Sequence, residues 1–584
     1  MSAPGQKDKF TPELRILVAS LLSFGVIILW AKYFGPKPPI QPSQANRPAV
    51  TAPATPSPAA SPAANPSQTT AAPATVAPLA ASNIPVKSDS QERTIVVENT
   101  LYRVEISNRG GVVKSWQLKN YKDDSKPQRV LDVVHPEASQ QTGGWPFSVI
   151  LDDTQLQNTA NQGLFQISSD SVNLHAPADV VLTWSDGHLE VTKHFKFDHS
   201  YVVRVETSAK FNGNPIKAGI GWLGGFGDLT VTNPAPVETV QTYYSEGGKV
   251  STFLYKKLDD LEKWGPGLWQ GGKGFVGIED RYFTAAFLPA SGAGGPLETR
   301  YWKAWRTVKV NGQDSAEPVP QVAAATPTQP LDLRLYVGPK DYDELKKMSP
   351  PLHGLINFGW LEFIAEPLFH GLKWLHGYIP NWGWAIVVLT LVINMLLFPL
   401  RISSYKTTLK MQRVAPEIKS IQDKYKKYSM RDPRKAEMNK EVMAIYSREG
   451  INPVGGCFQM FLQMPVWIGL NTALRYSIEM RQATWLWIVD LSSRDPLYVL
   501  PVLMGVSMYL VSKMTPMTST DPQQQMMMKI MPVTMAAIFM ISPISSGLAV
   551  YILTSSVVGI AQQWYLNRTH PAPAPVKPAR GKKS

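Results

Sequence analysis

Five near-continuous apolar segments, 382–400, 454–474, 497–512, 528–542 and 546–564, occupy the last third of this 584-residue chain. A surface helix of a soluble protein carries one apolar stripe, whereas segments apolar all round belong in a bilayer or a very large core. The pattern predicts a multi-pass α-helical membrane protein. A sixth segment, 16–31, is uncharged between Arg15 and Lys32, whose side chains reach the two interfaces. At ~1.5 Å per residue, 14–34 covers roughly the 30 Å of a hydrocarbon core. Lys32-Tyr33-Phe34 follows where a cleavage site needs small residues, so 1–35 reads as a retained anchor. Segments 497–512 and 528–542 are short against the ~20 residues a bilayer requires, which predicts local thinning.

A mean hydropathy of only −0.13 shows that the rest of the chain is different in kind. Residues 36–85 hold 13 prolines among Ala, Ser, Thr and Gln. Such a segment buries too little apolar surface to offset its ordering entropy, so 36–88 is expected to be a disordered tether. From 89 to 348 the pattern becomes β. Tyr102, Val104 and Ile106 alternate with charged Arg103 and Glu105, Asn108-Arg109-Gly110-Gly111 marks a turn, and similar runs recur at Val180-Leu182-Trp184, Tyr201-Val203-Val205 and Leu331-Leu333-Leu335. The expectation is one large antiparallel sandwich. Past Pro350-Pro351, residues 349–379 form an aromatic amphipathic stretch. Glu362, Glu366, Lys373 and Pro367 argue for a helix lying in the membrane interface rather than a span. His353, His370 and His376 do not share i,i+3 or i,i+4 spacing and read as interfacial side chains, not metal ligands. One cysteine in the chain excludes a disulfide scaffold or a Cys-ligated metal centre.

Charge orients the set. Lys+Arg number 58 against 45 Asp+Glu, and 401–449 alone has 13 Lys/Arg against six Asp/Glu. With Asp432-Pro433 as a turn, 401–450 is expected to be a basic helical hairpin between span 380–400 and the four spans in 451–565. The positive-inside rule puts that hairpin, Lys7 and Lys9, and the basic tail 566–584 in the cytoplasm. With six spans, the β domain then lies on the outer face, which is the periplasm of a double-membraned bacterium. Lys424, Lys426 and Lys427 are candidate docking residues for anionic headgroups and incoming cytoplasmic complexes, and Lys577 to Lys583 are further basic candidates for such contacts.

The five C-terminal segments contain no Asp or Glu, which counts against an ion-coupled transporter. Nor does the chain carry a phosphate loop, a Ser/His/Asp grouping or a zinc-binding helix. Uncharged polarity is abundant instead: Thr390 and Asn394 one turn apart, Gln459, Gln463 and Asn471 on the next segment, Thr534, and Tyr551, Thr554, Ser555 and Ser556 on the last. Such groups serve either as interhelical hydrogen bonds or as the lining of a hydrated concavity, because an unbonded buried amide or hydroxyl costs ~1–3 kcal/mol. Met-rich 526–531, Met535 and Met540 add an adaptable apolar surface.

Asn452-Pro453-Val454-Gly455-Gly456-Cys457-Phe458 with Gln463-Met464-Pro465, Leu486 to Ser492, Asp495 to Pro501, and Ser546-Gly547-Leu548 closely resemble the YidC family of bacterial membrane protein insertases. The layout of anchor, tether, large β domain and five-span core is similar to the family's Gram-negative form. The resemblance implies a groove open to cytoplasm and lipid and closed toward the periplasm, needing no nucleotide, cofactor or metal. It implies a slide for the client's apolar segment along the third and fifth spans, here Met464, Pro465 and Met535. It also implies a super-sandwich similar to sugar mutarotases but without their activity. The implied partners are nascent membrane proteins, the Sec translocon with SecD/SecF, the ribosome and the signal recognition particle receptor. The groove residues would be Thr390, Asn394, Gln463, Tyr551, Thr554 and Arg401. Two positions depart from the family. Asn394 stands where relatives carry an arginine, five residues before Pro399, which is expected to end the second span, and Ile552 replaces an aromatic after Tyr551. Arg401 is the candidate to supply the missing charge. The alternative is a transporter or envelope sensor with a ligand-binding β domain, although the five segments show no internal repeat.

Overall fold

The computed structural model describes residues 84–168, 171–228, 230, 240–254, 269–290, 295–310, 313–428, 432–451, 458–515, 522–541 and 544–571. The expected anchor 1–35, nearly all of the tether and Lys577 to Lys583 lie outside the described residues. Pairing with the β domain already begins inside the expected tether, where Lys87 N donates to Ser185 O at 2.9 Å.

Among the described residues the β domain is built from sheets of five, ten and five strands. Alternation dictates their faces. Tyr102, Val104 and Ile106 are fully buried while Arg103 and Glu105 are half-exposed, and Gly110 and Gly111 make the turn into Val112–Lys122 with positive φ. In the ten-stranded sheet Val202–Phe211 lies antiparallel between Leu189–Phe197 and Leu331–Pro339, with Val203 opposite both Phe197 and Leu335. One pairing is parallel, Thr94–Glu98 with Asn173–His175. Among the described residues two short helices interrupt the strands, α1 (Pro136–Thr142) and α2 (Thr154–Gln162). Fully buried Lys193 donates to Gly110 O, Gly111 O and Phe147 O at 2.6, 3.2 and 2.7 Å, pinning three separate segments with one ammonium.

The core of this domain does not stop at its last strand. It runs through Tyr342 and Leu345 of α3 (Tyr342–Lys347) into Phe358, then Ala365 and Phe369 of α4 (Glu362–His376), and reaches Ala473 and Ile478. Helix α4 buries Ala365, Phe369 and Leu372 and exposes Phe363 and Trp374, with nearby Trp360 and Tyr378 also exposed. His376 stacks on Trp382 with centroids 3.7 Å apart, and His370 packs edge-on to Tyr342.

The remaining helices among the described residues are α5 (Trp382–Lys424), α6 (Arg434–Arg448), α7 (Phe458–Tyr476), α8 (Val499–Met514), α9 (Pro522–Ile541) and α10 (Ser546–Thr569). Asn381 starts α5 by accepting from Trp384 N. Pro399, expected to end the second span, does not end the helix. The helix runs 43 residues through Pro399 and Pro416, joining span and hairpin in one rod. An interior proline costs ~3 kcal/mol. Packing offsets it, because Val414 and Ile418 meet Ile445 and Ile451 across the hairpin while Tyr405 and Leu409 pack on Leu566. Asp432 caps α6 through Arg434 N at 3.0 Å, which makes the expected turn. Among the described residues α5 is the one helix long and apolar enough to cross a bilayer by length and composition, with α8 and Ile530–Ile541 shorter apolar stretches.

Segment 477–498 covers one end of the helices. Trp485 lies so close to Gly383 that a Cβ there would stand 2.2 Å from its ring. Leu491 O and Ser493 O accept from Gly547 N and Ser546 N at the start of α10, and buried Asp495 caps α8 through Leu500 N at 2.7 Å.

Candidate functional site

Three helices supply one polar cavity. Asn394, Leu397, Leu400 and Arg401 recur at three- and four-residue intervals along one face of α5, Gln463 comes from α7, and Ser555 and Gln562 lie two turns apart on α10. Together they line a cavity of about 180 Å3, room for several waters in a site with enough donors and acceptors to hold them.

Its polar groups are held by one another. Asn394 Nδ2 donates to Thr390 O at 2.8 Å and to Ser555 Oγ at 3.3 Å. Gln562 bridges two points of α5: its Nε2 donates to the Asn394 carbonyl at 3.2 Å, and its Oε1 accepts from Arg401 Nη1 at 2.9 Å. Arg401 Nη2 also donates to Gly559 O at 3.3 Å, and a Cβ on Gly559 would crowd the guanidinium at 3.3 Å. Among the described residues the bonds of Arg401 go to neutral oxygens, so its charge has no carboxylate to neutralise it. Gln463 Nε2 donates to Tyr551 Oη at 2.7 Å, which ties the cavity to the helical core containing Leu470, Leu548 and Tyr551.

Thus Asn394, Arg401 and Gln463 share one lining, and Tyr551 stands behind it, buried. Thr390 is fully buried and spends its hydroxyl on Ile386 O at 2.6 Å, a back-bond within its own helix. Thr554 is half-buried on α10 beside the lining residue Ser555. Met464 is exposed next to Gln463, Pro465 half-buried within α7, and Met535 half-buried on α9. Lys424, Lys426 and Lys427 are exposed at the end of α5, with Lys424 bonded to Glu441 at 3.0 Å. The cavity adds Gln562, Leu397 and Leu400 to the sequence-derived set, and promotes Ser555 over Thr554. The 555–559–562 spacing, one stripe of a helix, is the signal in the sequence that would have led to Gln562.

A polar, cation-bearing cavity between apolar helices, joined to a large β domain, is the arrangement of a membrane protein with an extramembrane domain. The comparisons agree in both halves. Residues 94–371 match the family model for the YidC periplasmic domain, and 374–573 that for the 60Kd inner membrane protein. Membrane protein insertase YidC of Syntrophus aciditrophicus is 32% identical over 95% of this chain and 99% of its own, and that of Aromatoleum aromaticum 30% over 95% and 98%. A crystal structure of an active YidC insertase with its first transmembrane domain resolved is 18% identical, with a TM-score of 0.34, covering 82% of this chain and 94% of that one. The chain belongs to the YidC family of membrane protein insertases: inner-membrane proteins with a periplasmic domain, non-enzymatic by family.

Proposed function

We propose that this protein inserts nascent membrane proteins by receiving their hydrophilic flanks in the cavity of Asn394, Arg401, Gln463, Ser555 and Gln562. The observation that carries this reading is the cavity itself, five polar side chains converging from three helices. A polar segment entering it exchanges bulk water for bound water and fixed amides instead of hydrocarbon, which lowers the barrier to crossing. The client's apolar segment leaves along Met464, Pro465 and Met535. Because Asn394 is neutral, the groove's positive charge comes from Arg401, seven residues and about 10 Å further along α5.

In this reading the chain has six spans with both termini in the cytoplasm, Thr390, Tyr551 and Thr554 support the groove wall, and α4 lies in the periplasmic interface. The basic hairpin, with Lys424, Lys426 and Lys427, meets anionic lipids, the ribosome and the signal recognition particle receptor, and the protein acts alone or beside the Sec translocon with SecD/SecF. Cysteine accessibility tests the groove. With Cys457 replaced by serine, Ser555→Cys and Asn394→Cys in inverted membrane vesicles should react with a water-soluble maleimide, while Leu396→Cys on the exposed apolar face of α5 should not. Equal protection of all three would refute a hydrated groove.

A further inference from the structure

We propose that Arg481 and Asp228 form a lock that fixes the β domain on the outer end of the helical core, an inference that goes beyond the insertase reading. Arg481 belongs to segment 477–498, which is bound to the helices through Trp485, Leu491 and Ser493 as described above. Yet its side chain lies inside the β domain, only 3% exposed. Its Nη2 donates to Lys122 O at 2.6 Å and to Asp228 Oδ2 at 2.5 Å, with Asp124 Oδ1 3.8 Å away and the Phe283 ring 5.5 Å from the guanidinium carbon. The neighbouring Gln482 Nε2 donates to Lys122 O, Asp123 O and Asp124 Oδ1 at 3.0, 3.2 and 3.0 Å. Gln482 holds a left-handed backbone, φ 57°, and its N–H donates to Asp490 Oδ1 at 3.0 Å, so the two adjacent side chains are presented together.

The receiving side is equally built. Asp228 is 1% exposed at its side chain, its Oδ1 accepts from Thr230 N and Oγ1, and its own N–H donates to Asp280 Oδ2 at 2.9 Å. Gly227, at φ +98°, approaches Asp280 so closely that a Cβ would stand 2.3 Å from the carboxylate. The loop is therefore shaped to deliver Asp228 to one place. A buried guanidinium and carboxylate are tolerable only when paired, so the two surfaces must stay together or both be wetted.

One attachment would leave a hinge; two remove it. The first is the α3–α4 joint, where Tyr342 Oη donates to Glu366 at 2.6 Å and Lys373 reaches Asp343 at 2.6 Å. The second lies on a different segment of the chain, where Ile478 joins the β-domain core and Arg481 and Gln482 reach into it. They convert a domain that could swing on α3–α4 into one held at a fixed angle over segment 477–498. Arg481 is thus a positioning residue.

The test is a distance distribution in the full chain, in nanodiscs of phosphatidylethanolamine and phosphatidylglycerol. Spin labels at Lys210→Cys on the β domain and Leu497→Cys on segment 477–498, both exposed, in a Cys457→Ser background, report the angle. The native chain should give one narrow distance. Arg481→Ala and Asp228→Asn should each at least double its width, Arg481→Lys should restore it, and the β domain's own melting should stay in place. A native distribution already broad, a narrow one in Arg481→Ala, or a broadening that tracks loss of β-domain melting would each overturn the lock. If Arg481→Ala does not accumulate, Gln482→Gly, which suits the positive φ and removes three bonds without a charge, decides: broadening supports the lock and a native width overturns it.

Discussion

Arg401→Gln and Asn394→Leu separate charge from hydration in the cavity. A client carboxylate brought within ~4 Å of the Arg401 guanidinium gains ~4 kcal/mol at an effective dielectric of ~20. Giving up its own hydration takes back much of that, leaving the ~1.5–3 kcal/mol typical of a hydrogen bond to a charged group. Arg401→Gln should therefore slow insertion of a client with an acidic translocated segment roughly ten- to hundredfold. A client with Asn at the same positions should be barely affected, since glutamine can still donate toward Gln562 or Gly559. Asn394→Leu acts differently. It removes the bonds to Thr390 O and Ser555 Oγ, each worth ~1 kcal/mol, and places an apolar side chain against the water of the cavity. Both clients should slow by about the same factor, roughly five- to thirtyfold. Asn394→Ala should be milder, because it leaves room for water to bond Ser555. Asn394→Arg should be tolerated, its charge lying two turns from Arg401. The assay is insertion of the two clients into proteoliposomes containing each purified variant at equal density. Equal slowing of both clients by Arg401→Gln would refute the electrostatic role, and a silent Asn394→Leu would refute the hydration role.

Three further outcomes follow from the same geometry. Deletion of residues 90–320 should leave insertion largely intact, because every cavity residue lies on α5, α7 or α10; complete loss in a stably accumulating deletion contradicts this. Neutral substitution of Lys424, Lys426 and Lys427 together should weaken insertion of ribosome-delivered clients without changing protease-protection topology, since all three are exposed. His135 is fully buried, its Nε2 2.8 Å from Gly227 O, and burial pushes its pKa down to about 4 from an ordinary 6.5. The unfolded chain then binds more protons between those values, so His135 contributes fully above pH 6.5 and up to ~3 kcal/mol is lost as pH falls toward 4. Thermal melting of the β domain in the full chain should show a steeper decline over that window than in His135→Gln, and parallel curves would remove this assignment.

Much of this was legible because the signals are local. The strand faces at Tyr102, Val104 and Ile106 follow from alternation, and Asn394 and Gln463 stood out because an amide in an apolar helix is costly unless it meets water or a partner. What sequence missed lies at the resolution of a helix turn or in long-range contact. Successive residues are rotated by about 100°, so the cavity lining takes Ser555 and leaves Thr554 half-buried beside it. Thr390 answers to its own backbone, which composition does not reveal. That α5 continues past Pro399 as one helix rests on the packing of Val414 and Ile418 far along the chain. Arg481 meets Asp228 across 253 residues, and no periodicity announces such a pair.

The central claim is that a client's polar flank occupies this cavity while its apolar segment lies against the outer helix surface. Site-specific photocrosslinking tests it most directly, with a photoreactive residue at Ser555 or Gln562 inside, or at Met464 or Met535 along the slide, and a ribosome-stalled membrane protein as client. Probes at Ser555 and Gln562 should capture the hydrophilic flank, and those at Met464 and Met535 the apolar segment. Capture of the apolar segment from Ser555 and Gln562, or no capture there from a client that inserts at the native rate, would contradict the account.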